Sequence, residues 1–351
     1  MAGKSKSSFQ FKLNMNFNSK NLLVTGGAGF IGSNFIFYLL NKYNNINIIN
    51  LDKMTYAGSY DNMKLFKENP NFNFFKGDIN DKKLVNDIFV NFKIDGVINF
   101  AAESHVDNSI LKPGIFIESN IKGVFNLLNI AYENWMDSPF DTKTEFKHAR
   151  FHQISTDEVY GSISNGSFSE ESAYSPSSPY SSSKASADLI VRSFNKTYGL
   201  NTVTTISSNN FGNNQHREKL IPKTISNILN DKPICLYGDG KNIRDWIHVE
   251  DHCNAVDLVF NHGFSGEVYN VASNIEFKNL ELINMILNIT KRIYNKTSKI
   301  KFIRDRHGHD QRYSLDISKI KNELNWTPNK NFEEKLTTYI ENFNSNLNNI
   351  I

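Results

Sequence analysis

Cysteine is almost missing from this chain of 351 residues: only Cys235 and Cys253 occur. Neither has a metal-ligating neighbour at useful spacing, which excludes a disulfide framework and suits a reducing compartment, with both thiols as inert packing groups. Charge of one sign is not in excess either, since 39 Lys and Arg stand against 36 Asp and Glu for a formal net charge of +3. Without an arginine-rich stripe, no dedicated nucleic-acid or membrane surface is expected. Long apolar runs are absent as well, and the Lys-, Ser- and Asn-rich opening lacks the core of a secretory signal. A cytoplasmic protein whose residues 1–19 form a mobile tail is expected. The sequons at Asn165 and Asn195 follow from asparagine-rich composition and carry no weight.

What the chain does contain, from Asn21 onward, is an alternation of short β-branched apolar runs with longer stretches of helical period, the pattern of a parallel sheet covered by helices. The runs 21–25, 46–51, 72–76, 96–100, 151–156 and 202–207 predict buried strands. The stretches 29–43, 81–92, 114–135 and 179–198 predict helices, several opening on capping or proline signals. Right-handed crossovers then give an α/β fold, a Rossmann-type doubly wound parallel sheet. Past residue 209 the texture turns to Pro-, Gly- and His-bearing loops, with helical period returning at 279–292 and 332–343. The expected division is a Rossmann domain over 20–208 and a smaller C-terminal substrate-binding lobe over 209–351, with 245–275 returning to the first. The polar, aperiodic stretch 137–150 reads as a surface insertion. The Ser-rich stretch 162–178 lies between two candidate chemical motifs and reads as a lid over the cleft, with a plain connector as the alternative.

The first strand runs into TGGAGFIGS, where Gly26, Gly29 and Gly32 precede a helix. Glycines allow the tight turn and the close approach of a pyrophosphate, while the helix offers free N–H groups and its positive dipole end. Asp52 ends the second run about 20 residues later, where a carboxylate accepts both ribose hydroxyls and repels a 2′-phosphate. NAD is therefore expected over NADP, although Lys53 offers a counter-charge beside Asp52. Asp78 and Ile79 follow the third strand, placed to flank an adenine. Taken alone, the glycines also read as a plain turn.

Tyr180 and Lys184 stand four residues apart in YSSSK behind Pro179, so a helix puts both on one face. A phenol is a poor base at its usual pKa of about 10, and an adjacent ammonium and a nicotinamide cation both favour phenolate. Thr156, Asp157 and Glu158 come where the fifth strand ends, at the edge where ligands bind in such sheets. Adjacent strand residues face opposite ways, so neighbouring carboxyls serve one substrate only where the chain turns. An acid beside a base is what an elimination needs, and mutual repulsion helps keep one of them protonated. An isolated Asp-Glu pair reads first as a solvated loop cap.

In this order the motifs resemble the extended short-chain dehydrogenase/reductases, specifically the dTDP-glucose 4,6-dehydratases and the dehydratase part of plant-type UDP-rhamnose synthases. The carriers are TGGAGFIGS, LDKMTYAG, GDIND, AAESHVDNS, STDEVYG, YSSSK, NNFGNNQHREKLIP, YGDGKNIRDWIHVEDH and RDRHGHDQRY, spanning the chain from about Asn21 to its end. Nucleotide-sugar epimerases share the glycines and the Tyr-Lys pair but typically lack the Thr-Asp-Glu triplet. The resemblance implies a hydro-lyase that turns UDP-glucose or dTDP-glucose into its 4-keto-6-deoxy derivative and water. Tyr180, helped by Lys184 and Thr156, takes the 4-hydroxyl proton as hydride passes to NAD. Glu158 then removes the carbon 5 proton while Asp157 protonates the departing 6-hydroxyl, and hydride returns to carbon 6.

By the same resemblance, Gly26, Gly29, Phe30, Ile31, Gly32, Asp52, Lys53, Thr55, Asp78, Ile79, Ala101, Ala102, Ser104, Ser119, Tyr180, Lys184 and Asn210 contact NAD. His105, Thr156, Asn209, Lys219, Leu220, Tyr237, Arg244, Asn270, Arg306, His309 and Tyr313 face the nucleotide sugar. Lys219, Arg244 and Arg306 suit a diphosphate and Tyr237 suits a base. A homodimer is implied, with 114–135 and 179–198 pairing across a two-fold axis, and a product that feeds rhamnose or another deoxysugar. Two positions depart from the bacterial pattern: His307 stands where Pro is usual and Ser119 where Thr is usual. His307, His309 and Asp310 lack a further imidazole or thiolate at ligand spacing, so no metal is expected. DQRY at Tyr313 and GDGKN at Gly238 resemble the plant-type enzymes more, which tilts the expectation to UDP-glucose. A 4-epimerase is the rival that only Asp157 and Glu158 separate, and a non-catalytic NAD-binding scaffold is a third reading.

Overall fold

The computed structural model describes residues 17–305 and 308–343, so the expected tail over 1–16, Arg306 and His307 lie outside the described residues. The apolar runs form β1 Asn21–Thr25, β2 Asn47–Asp52, β3 Phe72–Lys76 and β4 Gly96–Asn99, joined through α1 Phe30–Lys42 and α2 Lys82–Phe92. Next come α3 Val106–Leu111, α4 Pro113–Phe116, a π turn Ile117–Lys122 and α5 Gly123–Trp135. A hairpin of β5 Met136–Ser138 and β6 Asp141–Thr142 fills part of the expected insertion, ahead of β7 Arg150–Thr156, α6 Pro179–Tyr198 and β8 Thr202–Ser207. The remainder runs β9 Asn209–Phe211, α7 Leu220–Leu229, β10 Ile234–Tyr237, β11 Ile243–His248, α8 Val249–His262, β12 Val268–Val271, β13 Glu276–Lys278, α9 Asn279–Tyr294, β14 Ile300–Ile303, α10 Ser318–Leu324 and α11 Phe332–Asn342.

Seven strands pair in parallel in the order β12-β8-β7-β4-β1-β2-β3, the doubly wound topology expected. The chain builds outward from β1 to β3, then reverses at β4, and loops splay apart at the carboxyl ends where that reversal occurs. Both faces are covered, which is why the strands read as continuous apolar runs. Leu23, Ile49, Val97 and Phe151 pack beneath α2, α5 and α6, while Leu22, Val24, Ile48 and Ile98 pack against Phe35, Ile36, Val256 and Phe260 of α1 and α8. Each such buried side chain contributes roughly 1.5–3 kcal/mol of transfer free energy. A separate apolar cluster of Phe211, Ile225, Leu236, Trp246, Leu282, Ile286, Leu336 and Ile340 joins α7, α9 and α11 to β10 and β11.

Two expectations are corrected and one is refined. The stretch 114–135 is helical throughout, opening one residue early at Pro113 and carrying a wider π turn, Ile117–Lys122, between α4 and α5. That turn carries Asn120, which is buried and clamps two segments, accepting from Glu103 N and donating to Glu103 O and Ser183 Oγ. The inner end of the expected tail is packed, with Phe17 stacked on Phe260 at 5.0 Å between centroids and Ser19 donating to Asp95. The Ser-rich stretch is a strap rather than a lid. Ile163 N donates to Arg312 O, Phe168 N to Ser314 O and Asp316 N to Phe168 O, and no residue of 162–178 lines the main cleft.

Candidate active site

The carboxyl ends of β1, β2, β4, β7 and β8 open onto a cleft of about 510 Å³, closed on its far side by residues 215–223, β10, Arg244 and Tyr313. Gly26 has φ +72°, and a Cβ there would sit 2.7 Å from Ala101 N. A Cβ on Gly32 would lie 2.4 Å from Gly26 O, so both positions need glycine for the turn to close. Gly29 caps α1 without a side-chain hydrogen bond, and Gly29 to Gly32 all line the cleft, which leaves the first-turn N–H groups available to an anion. Asp52 accepts from Ala28 N at 2.9 Å and Met54 N at 2.7 Å; burial pushes its carboxyl up and these two bonds pull it back. Lys53 is paired with Asp78 at 2.7 Å. Glycine cradle, bare helix end and strand-end carboxylate together fit a dinucleotide.

At the chemical end, β7 gives way after Thr156 to a 3-10 turn, Asp157–Tyr160, so the two carboxyls leave the strand where the substrate edge begins. Thr156 Oγ1 accepts from Glu158 N at 3.4 Å and donates to Asp157 Oδ1 at 3.2 Å. Asp157 is 3% exposed. Burial first, then the Glu158 charge, lift its carboxyl well above the usual carboxylate range, with Arg244 opposing. The other oxygen, Oδ2, is buried without a hydrogen-bond partner among the described residues.

Tyr180 and Lys184 share a face of α6, whose start is fixed by Pro179 and a reciprocal Ser178–Ser181 capping box. Lys184 Nζ donates to Ile154 O at 2.6 Å; burial lowers its pKa and Asp188 raises it. Burial, then the Glu158 charge, push the Tyr180 phenol up, against a pull from the Thr156 hydroxyl. The phenol is therefore raised despite the ammonium one turn away.

On the far wall Arg244 is buried, donates to Ile243 O at 2.7 Å and Asp310 O at 2.9 Å, and lies 4.3 Å over the Tyr313 ring. Tyr313 donates to Asp310 Oδ2 at 2.7 Å. Tyr237 donates to Asp107 Oδ2 at 3.4 Å and meets His309 edge to face. Lys219 reaches Ser104 O at 3.2 Å, and His105 faces Glu218 at 3.4 Å.

Every expected site residue among those described lines this cleft except Asn270. Asn270 is buried behind it, accepting from the Tyr160 hydroxyl and donating to Phe168 O and Asp316 O, so its amide is consumed by the protein and does not face a ligand. Asn279, the first residue of α9, lines the cleft instead, with Oδ1 buried and lacking a hydrogen-bond partner among the described residues. Tyr56, Glu103, Asp107, Glu218 and Cys235 also line the cleft and were not anticipated. Glu103 and Glu218 were readable from their places beside Ser104 and Lys219. Cys235, expected to be packing, is exposed because alternation along β10 turns Ile234 and Leu236 inward and the thiol outward.

Among the described residues no three His, Cys, Asp or Glu side chains gather as a metal site, and no helix is long and apolar enough to cross a membrane.

Residues 23–339 match the family model described as GDP-mannose 4,6 dehydratase. The low-salt glycan biosynthesis protein Agl12 of Haloferax volcanii is 46% identical over 321 residues, covering 92% of this chain and 97% of that protein. A dTDP-glucose 4,6-dehydratase of Haemophilus influenzae is also 46% identical, covering 90% and 95%. Among solved structures, DesIV, a dTDP-glucose 4,6-dehydratase from Streptomyces venezuelae with NAD and TYD bound, superposes with a TM-score of 0.86 at 39% identity, covering 93% of this chain and 98% of that one. With the model spanning nearly the whole described chain and the Thr-Asp-Glu turn, Tyr-Lys pair and glycine cradle on one cleft, this protein belongs to the GDP-mannose 4,6 dehydratase family.

Proposed function

We propose that this protein is an NAD-dependent 4,6-dehydratase that converts dTDP-glucose or UDP-glucose to the 4-keto-6-deoxy sugar and water. The observation that carries this is the buried Asp157, its carboxyl pushed up by burial and by the charge of the partly exposed Glu158, in the cleft that also holds Tyr180. An elimination requires one such acid and one such base.

The glycine turn, Asp52, Asp78 and Lys184 would hold NAD, which supplies a hydride acceptor and donor and a positive ring that brings the Tyr180 phenol down towards a useful base. Tyr180 takes the proton of the 4-hydroxyl, with the Thr156 hydroxyl beside it. The resulting 4-ketone acidifies carbon 5, and Glu158 removes that proton. Asp157 delivers its own proton to the 6-hydroxyl, which leaves as water; carbon 6 would then recover the hydride taken from carbon 4 while Glu158 returns its proton to carbon 5. Exclusion of bulk water by the buried site strengthens each of these charge interactions.

Lys219, Arg244, Tyr237, His309, Tyr313 and Asn279 are the groups we assign to the nucleoside diphosphate, in a substrate-binding lobe formed by 209–351 apart from about 245–275. The names of the relatives favour dTDP-glucose, whereas GDGKN and DQRY favour UDP-glucose. Exposed Leu111, Ile115, Ile117 and Phe125, together with Leu189 on α6, form an apolar surface that supports a homodimer through these helices. Two cysteines outside any disulfide suit a cytoplasmic setting.

Incubating the purified protein with each nucleotide sugar and weighing the products tests this. Loss of one water with the nucleotide retained is expected. An unchanged mass with inversion at carbon 4 would establish epimerisation and overturn the proposal.

A further inference from the structure

Below Tyr180 and Lys184, one carboxylate joins three segments of the site. Asp188 lies one helical turn beyond Lys184 on the same buried face of α6. Its Oδ2 accepts the Ser155 hydroxyl at 2.5 Å and the Tyr174 hydroxyl at 3.4 Å. Oδ1 is buried with no hydrogen-bond partner among the described residues. Ser155 immediately precedes the Thr-Asp-Glu turn, and Tyr174 belongs to the strap 162–178. A buried carboxylate without full hydrogen bonding is costly unless a cation compensates it.

We propose that Asp188 is a positioning residue that keeps Lys184 cationic from one turn along the same buried helix face, while bracing α6 through Ser155 against the strand end carrying Asp157 and Glu158. Its catalytic consequence rests on the dehydratase function proposed above; the charge relation between the two side chains does not.

Burial drives both partners towards neutrality, lowering Lys184 and raising Asp188 to about 6, and each is the main charge that pulls the other back. The remaining groups facing Asp188 do not substitute for the lysine. Tyr174 and Tyr160 are hydroxyls that its charge pushes up; Arg192 acts on Tyr174, and Glu170 and Glu171 act on Tyr160. An Asn at 188 would still accept from Ser155 and Tyr174, so a role limited to bracing the segments survives Asp188→Asn. A role in charge does not.

The test is titration of the Lys184 amine in the intact protein by competitive acylation read by mass spectrometry, in wild type and Asp188→Asn. Asp188→Asn is expected to lower the apparent pKa of Lys184 by about one unit or more. It should also reduce kcat by roughly tenfold or more, with a smaller change in KM. An unmoved Lys184 titration overturns the inference. Should Asp188→Asn fail to fold, Lys184→Met carries the reciprocal test: at pH 7 its infrared spectrum should gain a carboxylic acid band relative to wild type, and absence of that added band is equally fatal. A wild type that leaves both nucleotide sugars unchanged ends the dehydratase proposal and leaves this one standing. A wild type that dehydrates while Asp188→Asn keeps the Lys184 titration ends this one alone.

Discussion

Lys53 and Asp78 form an ion pair between the neighbouring ends of β2 and β3, Nζ to Oδ2 2.7 Å, beside Asp52. The pair is too exposed to contribute much stability. Its effect is on selectivity, because the cation next to Asp52 is engaged and not left ready for a 2′-phosphate. Removing both carboxylates, as Asp52→Ser with Asp78→Asn, should raise the affinity for NADP relative to NAD by about tenfold or more, measured by fluorescence titration. An unchanged preference would show that other groups select the cofactor.

Glu158→Gln keeps the shape of the base and removes its charge. Its kcat should fall by about 10²- to 10⁴-fold, and reduced nicotinamide absorbance should persist after substrate is mixed in, because oxidation at carbon 4 outlasts elimination. Turnover near wild type would remove Glu158 from the role of base.

Asp157 must be protonated to act as an acid, and burial beside Glu158 raises it. A raised carboxyl is protonated below its shifted value and ionises as pH climbs through it, so kcat should decline on the alkaline side. Asp157→Asn should lower kcat throughout and abolish that limb. A variant retaining the same alkaline decline would assign it to another group.

His252 is fully buried, bonds Asn210 Oδ1 at 2.9 Å, and is pushed down to about 3 by burial; His152 is likewise lowered. Depressed histidines contribute stability that is complete above their unfolded value near 6.5 and is lost as pH falls towards the folded value. For His252 alone the loss by pH 3 is on the order of 4 kcal/mol. Thermal midpoints should therefore drop between about pH 6.5 and 3, less steeply in His252→Gln. Equal slopes in the two proteins would count against it.

Charge on the apolar surface should separate the proposed dimer. Leu111→Glu with Phe125→Glu is expected to give monomers in sedimentation at micromolar concentration, where wild type should sediment as a dimer. A wild-type monomer would end that proposal.

Much of this was legible in residues because buried parallel strands and a Pro-capped helix leave local signals. The run 202–207 and the helix 179–198 have the expected bounds for that reason. The π turn within 114–135 was hidden, since a single π turn advances the chain by one extra residue and scarcely disturbs an apolar period. Asn270 and Asn279 look alike on paper, each a polar residue bordering a regular element. Only packing shows that Tyr160 and two carbonyls occupy the first and leave the second facing the cleft. The Ser-rich strap misled because its composition suggests an open loop, whereas Ser314 and Arg312 anchor it through backbone bonds that no local pattern reveals.

The threading of the chain has a practical consequence for anyone wishing to transplant specificity. β12 lies in the main sheet and α8 packs on it, although β10, β11, β13 and β14 around them do not belong to that sheet. A contiguous cassette cut from the C-terminal third would tear out an edge strand of the scaffold. Chimeras with related enzymes should exchange two separate blocks, one either side of α8 and β12, and leave that middle passage native.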